Sequence, residues 1–571
     1  MSLTQHSALS SLRGAQAGSS ADEPQDAQHS SLVGDHLLAA ARDDGQRTAV
    51  VCGGVALSYA AFAERAARLA GALRAVGVAP GDRVAYVGPN CHALLEAYYG
   101  VPWAGAVLVP LHVRLARPEL AALLADAAPR AVLVDATCLA RLRPDALEQV
   151  PLRVLVGVDT APAGWQAYET WLARAVPVEP LAAAPDGVAE MFYTSGSTGQ
   201  PRAAMLSGRN LAANAAGVRE MLALGPDDVV LHALSLFHAN GWGFPHAAVM
   251  ARARQVVLRK FVPRAALELL ARERATVTYV VPTMARALAE SRGPTRRELA
   301  SLRCLVVGGA ASTPELVQAA EARLGGTFVG SYGLTETSPV LTLATLRPEM
   351  ADWPPEARWR QQAAAGRPTP AACLRVADEA GMAVPADGMS VGEVQVAGDL
   401  VMAGYWQRPA ETAAACPDGW LRTGDLATVD PWGYLRIVAR LKDLIVCGGE
   451  KIAPPEVERV LAAHPAVRDA AVVGAPHPRW GQAPEALVVL RPGAEASASA
   501  LRHHCARHLA AFKVPRAIHF VSRLPRTATG KLARARLAPA SSHEREPSAP
   551  CADAPCRRVQ RRLSEAPPAP A

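Results

Sequence analysis

Short apolar runs separated by amphipathic stretches dominate the first three quarters of the chain. Val- and Leu-rich runs occur at residues 84–87, 131–134, 256–258, 277–281 and 302–307. Their length predicts buried β-strands, because both faces of a parallel strand are covered in an α/β fold. The stretches between them carry apolar residues at helical spacing. We therefore predict largely parallel sheets with helices on both faces.

The pattern changes after Gly392. Residues 393–396 alternate polar and apolar side chains, as expected of a half-exposed strand, and glycine-containing turns follow at 418–419, 423–425 and 431–433. This spacing predicts a smaller β-rich subdomain that closes the large domain.

A separate carboxy-terminal unit is predicted from Asp443 onward. It contains one helical pattern at 455–461 and two apolar runs at 470–473 and 486–490. About a hundred residues with a core of their own are enough for a small domain. The expected fold is therefore α/β, with a large amino-terminal domain and a small, mobile α+β domain.

The expected boundaries follow from these patterns and from composition. They are a disordered leader at 1–30, a large domain at 31–440, a small domain at 441–540 and a disordered tail at 541–571. A chain of 571 residues is too long for one core, which agrees with this division.

Composition and charge narrow the class of protein. The net charge of +7 is dispersed, since the tail holds five Arg against three Glu and one Asp, so no nucleic-acid partner is expected. Ten cysteines without a CxxC pair indicate thiols rather than a disulfide framework. The longest apolar run, 97–111, contains two prolines and is shorter than the ~20 residues that span a bilayer. We expect a cytoplasmic protein without a transmembrane segment.

One loop has the composition of a polyphosphate cradle. Glycines let backbone N–H groups converge on an anion, hydroxyls add donors, and Arg202 adds a positive charge. The candidate binding residues are Thr194, Ser195, Gly196, Ser197, Thr198, Gly199 and Arg202. The loop is not a Walker motif, because the GxxxxGK[ST] spacing is absent. Taken alone, it is also compatible with a flexible surface linker.

A second segment combines glycines, an aromatic ring and a carboxylate. Glycine turns at strand ends are where open α/β sheets bind ligands. Tyr332 can stack on a base, Thr335 can donate to phosphate, and Glu336 can hold a divalent ion. The candidate residues are Gly309, Ala310, Ala311, Tyr332, Gly333, Thr335 and Glu336. An ordinary turn with a surface glutamate remains the alternative for this segment.

Two more segments carry charge. Asp425 can accept hydrogen bonds from ribose hydroxyls and Arg440 can donate to them, although the two residues can also form a structural ion pair. Lys531 follows Thr-Gly on a loop, where its compact cation can meet a developing negative charge. A solvated surface lysine is the simpler interpretation of Lys531 by itself.

Together these segments resemble the adenylate-forming superfamily of acyl-CoA synthetases, adenylation domains and luciferases. The motifs are YTSGSTGQPR, GGA with YGLTET, RTGD, RLKDLIVCGGEKIAPPEVE and PRTATGK, and the likeness covers residues 35–535. The segment Leu236–Trp242 resembles the fatty-acyl-CoA ligase branch, in which a tryptophan at this place can gate an acyl tunnel. For His238 and Trp242, core packing is the competing interpretation.

The resemblance implies a two-step ligase. A carboxylic acid, expected to be a medium- or long-chain fatty acid, attacks Mg-ATP to give acyl-AMP, and coenzyme A then takes the acyl group. The implied catalytic residues are Lys531, Thr335 and Glu336, with Glu336 on Mg²⁺. The family places a hinge at Lys442 and a coenzyme A loop at Gly448 and Gly449. Transfer to a carrier protein, an inactive nucleotide-binding relative and a homodimer stay open.

Three positions depart from the family pattern. Arg202 stands where lysine is usual, Ala203 where glycine is usual, and Gly208 where many members have histidine. A further cluster, His504 with His508, has the helical spacing of zinc ligands, but lacks a second ligand pair. We therefore interpret it as a structural or solvated face.

Overall fold

The structure is a computed structural model that describes residues 33–182, 184–195, 201–526 and 532–537. The leader and tail expected at 1–30 and 541–571 lie outside this part. The chain divides into two compact units, and the first passes to the second between Leu441 and Lys442.

A mixed sheet forms one half of the first unit. Its strand order is β16-β15-β14-β13-β12-β10-β11-β1-β2, numbered in chain order. Pairing is parallel from β14 to β1 and antiparallel at both edges. The strands are β1 (Thr48–Cys52), β2 (Val55–Ser58), β10 (Val229–His232), β11 (Arg254–Val257), β12 (Val277–Val280), β13 (Cys304–Val307), β14 (Thr327–Gly333), β15 (Val340–Leu343) and β16 (Arg367–Pro368).

A second mixed sheet has the order β19-β9-β8-β4-β3-β5-β6-β7. Here β8 pairs antiparallel with β9, and the loop between them is the sequence-predicted phosphate cradle. The strands are β3 (Arg83–Val87), β4 (Val107–Pro110), β5 (Ala131–Asp135), β6 (Leu152–Val156), β7 (Gln166–Ala167), β8 (Val188–Ser195), β9 (Pro201–Ser207) and β19 (Gly404–Tyr405).

The β-rich subdomain predicted after Gly392 is an antiparallel sheet in the order β17-β18-β20-β21. Val394 and Val396 pack with Ala427 and Leu435 into its core. The strands are β17 (Cys373–Ala377), β18 (Gly392–Ala397), β20 (Leu421–Val429) and β21 (Leu435–Arg440).

Helices cover the sheets of the first unit. The first turn of α2 (Tyr59–Ala75) is capped by the Ser58 hydroxyl, which accepts from the Ala61 amide at 3.2 Å. Its buried residues recur at helical spacing. The helices are α1 (Val33–Asp43), α2 (Tyr59–Ala75), α3 (His92–Trp103), α4 (Arg117–Ala127), α5 (Pro144–Glu148), α6 (Tyr168–Ala173), α7 (Gly208–Met221), α8 (Ala239–Trp242), α9 (Phe244–Met250), α10 (Pro263–Arg272), α11 (Pro282–Glu290), α12 (Pro314–Leu324), α13 (Pro355–Gln362) and α14 (Pro409–Ala415).

The second unit has its own apolar core, built from a sheet with two helices. Strands β24 and β25 form a long antiparallel pair, and β26 adds to β25 in parallel. The elements are β22 (Ile445–Cys447), β23 (Glu450–Ile452), α15 (Pro454–Ala462), β24 (Val467–His477), β25 (Gly481–Leu490), α16 (Ala498–Ala506) and β26 (Ala517–Phe520).

The predicted fold class is confirmed, with antiparallel strands at the edges of the sheets as the main addition. Strand β24 is also longer than the predicted run at 470–473. In the part of the chain that the structure describes, no helix is both long and apolar enough to cross a membrane. The eight cysteines in that part are all free thiols.

Candidate functional site

Two neighbouring parallel strands end beside each other at the centre of the candidate site. Val307, the last residue of β13, pairs with Gly330 of β14. The turn Gly309–Ala311 follows β13, and Gly309 has φ +80°, which favours glycine. A Cβ on Gly308 would lie 2.9 Å from the Ser331 carbonyl oxygen, so this turn packs closely against β14. The glycines therefore lie where the parallel pairing of β13 with β14 ends, and this strand-end position, called the opening below, is the usual ligand position in an α/β sheet.

Tyr332, Asp425 and Arg440 form one cluster at this opening. Asp425 and Arg440 are register partners on β20 and β21, and Arg440 Nε lies 2.8 Å from Asp425 Oδ1. The Tyr332 hydroxyl donates to Asp425 Oδ2 at 2.9 Å. Burial, together with the Asp425 charge, raises the Tyr332 pKa well above its usual range, so the hydroxyl stays a donor. The structural ion pair that the sequence also allowed is therefore present, and the Tyr332 hydroxyl is hydrogen-bonded to its carboxylate.

Glu336 lies at the other end of the same segment, in the short 3-10 turn Thr335–Thr337. The Tyr405 hydroxyl donates to Glu336 Oε1 at 3.0 Å, and the Thr194 hydroxyl lies 3.4 Å from the same oxygen. Burial and the neighbouring Glu336 charge raise the Tyr405 pKa, so this hydroxyl also remains protonated. Hydroxyls from β8 and β19 therefore lie against the same oxygen of the Glu336 carboxylate.

Arg202 makes contacts that the sequence did not indicate. Its Nη1 lies 3.0 Å from Glu411 Oε2, and its guanidinium carbon lies 4.5 Å from the centre of the Tyr405 ring. The side chain is only 18% exposed. The arginine therefore braces the tyrosine that orients Glu336, and any contact with phosphate remains a prediction.

Several predicted residues lie outside the described part of the chain. These are Gly196, Ser197, Thr198, Gly199 and Lys531. The described backbone on either side of the loop is regular, since Thr194 pairs with Arg202 and Ser195 pairs with Pro201.

Of the predicted acyl-site residues, His238 precedes a left-handed turn and Trp242 belongs to that turn. Residues 239–242 all have positive φ angles, from 39° to 58°. The His238 ring contacts the ring of His112 at a centroid distance of 4.6 Å, and His112 also contacts Phe237 at 4.8 Å. Burial and the nearby Arg114 charge lower the His112 pKa to about 4, so this imidazole is neutral near pH 7. His112 was not predicted as a site residue, because it is distant in sequence from His238.

In the second unit, Gly448 and Gly449 form a turn with φ +60° and +90°. A Cβ on Gly448 would lie 3.3 Å from the Trp480 ring. The Trp480 ring stacks with the His477 ring and is also contacted by the Arg516 guanidinium, each 4.1 Å from its ring centre. The glycine turn therefore borders an aromatic and cationic surface. Lys442 begins this unit.

The His504–His508 cluster is accounted for by packing. His504 Nε2 lies 3.0 Å from the Val460 carbonyl oxygen, and its ring contacts both His508 and His464. Within the described ranges, no group of three or more His, Cys, Asp or Glu side chains is placed to hold a metal ion.

The fold and this strand-end site define an α/β enzyme of the adenylate-forming class. The family model for AMP-binding enzymes matches residues 37–406, and the model for their C-terminal domain matches residues 456–531. The chain belongs to the AMP-binding enzyme family and is an acid–thiol ligase.

Relatives and solved structures agree with this assignment. The chain is 39% identical to a feruloyl-CoA synthase of Amycolatopsis sp, covering 87% of this chain and 96% of the relative. It is also 39% identical to a long-chain-fatty-acid–CoA ligase of Thermus thermophilus, covering 84% and 89%. The crystal structure of ATP-bound MatB from Rhodopseudomonas palustris matches with a TM-score of 0.79 at 31% identity, covering 88% and 97%.

Proposed function

We propose that this protein is an ATP-dependent acyl-CoA ligase that forms acyl-AMP and then an acyl thioester with coenzyme A. The observation that carries the proposal is the segment 331–337. One end holds Tyr332 against the Asp425–Arg440 pair, and the other holds Glu336 between two hydroxyls. A nucleotide needs polar and aromatic contacts at its nucleoside end and a carboxylate for the metal ion at its phosphate end. The segment 331–337 carries residues of both kinds.

The adenosine end is assigned to the cluster around Asp425. A carboxylate accepts from both ribose hydroxyls, and Arg440, at 40% side-chain exposure, is open to the ligand. Tyr332 offers a flat ring beside Gly309–Ala311, where the exposed turn leaves room for a base. Thr194, Ser195 and the loop at 196–199 are assigned to the β- and γ-phosphates.

The residues around Glu336 suit Mg²⁺. The donors are a carboxylate and hydroxyl oxygens, which are the ligand type that this hard cation prefers. Magnesium commonly takes only one or two protein carboxylates and completes its shell with phosphates and water. A bound Mg²⁺ would supply charge neutralisation for the phosphates. The protein contributes the fixed orientation of the Glu336 carboxylate.

The acid is assigned to the segment from His238 to Trp242. The sequence-based expectation of a medium- or long-chain fatty acid remains one candidate, since one relative is named for long-chain fatty acids and another for ferulate. Lys442 is proposed as the hinge, and Gly448 with Gly449 as the loop that admits the pantetheine arm.

A coupled assay tests the function. Purified protein is incubated with Mg-ATP and a panel of carboxylic acids, with pyrophosphate and acyl-CoA measured separately. Acid-dependent pyrophosphate release followed by acyl-CoA is expected. Pyrophosphate release with transfer only to a holo-carrier protein would favour a carrier-loading ligase. Failure of every acid to release pyrophosphate would contradict the proposal and favour an inactive relative.

Asp425→Asn tests the nucleotide assignment. Loss of one charged hydrogen-bond partner costs about 1.5–3 kcal/mol, so the KM for ATP should rise roughly 10–100-fold. The KM for the acid should change little, because Asp425 is assigned to the ribose. Initial rates against ATP and against acid measure the two effects. Asp352→Asn, an exposed position, is the matched control. Equal increases in both KM values would contradict the assignment.

A further inference from the structure

A buried polar cluster includes Asn240, which belongs to the acyl segment, residues 238–242. Glu190 of β8 and His246 of α9 both have completely buried side chains, and His246 Nε2 lies 2.9 Å from Glu190 Oε1. His246 Nδ1 lies 3.2 Å from the Tyr99 hydroxyl. The Asn240 amide donates to Glu190 Oε2 at 3.1 Å. Burying such groups is costly unless every one is satisfied, so the cluster needs a structural or functional reason.

Asn240 is not fully satisfied. Its side chain is completely buried, yet its Oδ1 atom has no hydrogen-bond partner. An unpaired buried acceptor costs about 1–3 kcal/mol. The nitrogen of the same amide is held by Glu190, so the oxygen cannot exchange places with it without placing two acceptors together. The Oδ1 atom therefore remains able to accept a hydrogen bond from a donor.

The face of β8 connects this cluster with the phosphate end of the site. Glu190, Phe192 and Thr194 alternate along the strand and so share one face. Thr194 approaches Glu336, whereas Glu190 meets Asn240. At roughly 3.3 Å per residue, about 13 Å of strand separates the two ends. If the carboxyl end of the acid lies near Thr194 and the acyl group follows β8, the far part of that group is directed towards Asn240, past the buried ring of Phe192.

A second unpaired polar atom borders the same segment. His112 Nδ1 accepts from the Arg114 amide at 3.0 Å, so in the neutral ring the proton is on Nε2. That Nε2 is buried and has no hydrogen-bond partner, while the ring contacts His238. The surroundings of the acyl segment therefore contain both an unused acceptor and an unused donor. A plain hydrocarbon chain satisfies neither of them.

We propose that the acid carries a hydroxyl group on its acyl part and that Asn240 Oδ1 accepts a hydrogen bond from this hydroxyl. The inference rests on the proposed acyl-CoA ligase function and narrows its substrate class. Glu190 and His246 act as positioning residues, because they fix the Asn240 amide. Sites built to bind a hydroxyl reject the analogue that lacks it, since their buried polar groups stay unpaired.

Matched pairs of acids test this substrate class. The probes are 4-hydroxycinnamic against cinnamic acid, and 8-hydroxyoctanoic against octanoic acid. In the unmodified protein, kcat/KM should favour the hydroxylated member of at least one pair by about tenfold or more. Asn240→Gly removes the acceptor while allowing the residue's φ of +43°. This variant should lose the preference, because kcat/KM should fall further for the hydroxylated acid than for its plain partner.

The controls separate recognition from general damage. Each plain acid serves as the internal control for folding. Asn214→Ala removes another buried amide with unpaired atoms, on α7 near Gly243, and should leave the ratio unchanged. The inference is overturned if neither pair shows a preference, if Asn240→Gly weakens both members equally, or if Asn214→Ala abolishes the preference as well.

A binding measurement keeps this inference distinct from the proposed function. If no acid releases pyrophosphate, the ligase function fails, and calorimetric titration of the same four acids then decides the question. A tenfold difference in Kd that disappears in Asn240→Gly supports recognition of a hydroxyl by Asn240. Equal Kd values within both pairs contradict it.

Discussion

Replacing Glu336 by Gln should reduce acid-dependent pyrophosphate release by about 10²–10³-fold, a loss comparable to removing one preorganised electrostatic contact from an active site. The substitution preserves shape but removes the negative charge that we assign to Mg²⁺. The neighbouring hydroxyls of Tyr405 and Thr194 would then face an amide instead of a carboxylate. Steady-state rates at saturating ATP, repeated over a range of Mg²⁺ concentrations, measure the effect.

The Mg²⁺ titration separates this role from simple misfolding. The Mg²⁺ concentration for half-maximal rate should rise in Glu336→Gln, while Glu349→Gln, an exposed control, should behave like the unmodified protein. Tyr405→Phe leaves the carboxylate but removes its donor, so an intermediate loss of about tenfold is expected. An unchanged Mg²⁺ dependence in Glu336→Gln would show that this carboxylate does not serve the metal.

Much of the fold could be predicted because its strands are fully buried. Val84, Val132 and Val306 are fully buried and lie in continuous apolar runs, which in an α/β chain indicate strands covered on both faces. The antiparallel edge strands were harder to predict. Strands β2 and β16 are only four and two residues long, which is too short to show a clear alternating pattern in the sequence.

Site residues could be predicted where a chemically active side chain lies within a recognisable sequence motif. Asp425 and Arg440 are charged residues in recognisable motifs, and the β20–β21 register brings them opposite each other. Tyr405 and Glu411 gave no such signal. Their contacts with Glu336 and Arg202 arise only because β19 pairs with β9.

Arg202 illustrates the difference between a residue type and its environment. Its position in the loop motif predicted a phosphate contact. In the structure, however, the guanidinium is engaged by Glu411 and covers the Tyr405 ring. A planar, forked cation can make both contacts at once, which a lysine ammonium does less well. The arginine that replaces the family's usual lysine therefore packs against Tyr405 and pairs with Glu411 at the same time.

Lys531→Ala should abolish the first half-reaction while largely sparing the second. Formation of acyl-AMP brings two anions together, and a lysine ammonium can stabilise the charge that develops between carboxylate and α-phosphate. Loss of that cation is expected to slow adenylation by at least about 10²-fold. Thioester formation from supplied acyl-adenylate should continue, because the carboxylate and phosphate have already been joined.

Separate assays of the two half-reactions provide the measurement. Acid-dependent pyrophosphate exchange reports adenylation, and acyl-CoA formation from synthetic acyl-adenylate reports transfer. Lys260→Ala, an exposed lysine on the loop after β11, is the matched control and should affect neither step. Lys442→Pro should show the opposite pattern, with transfer lost and adenylation kept, because a proline restricts the backbone rotation expected at a hinge. If Lys531→Ala leaves both half-reactions at normal rates, the lysine is not the catalytic cation; if it stops both equally, its role is not confined to adenylation.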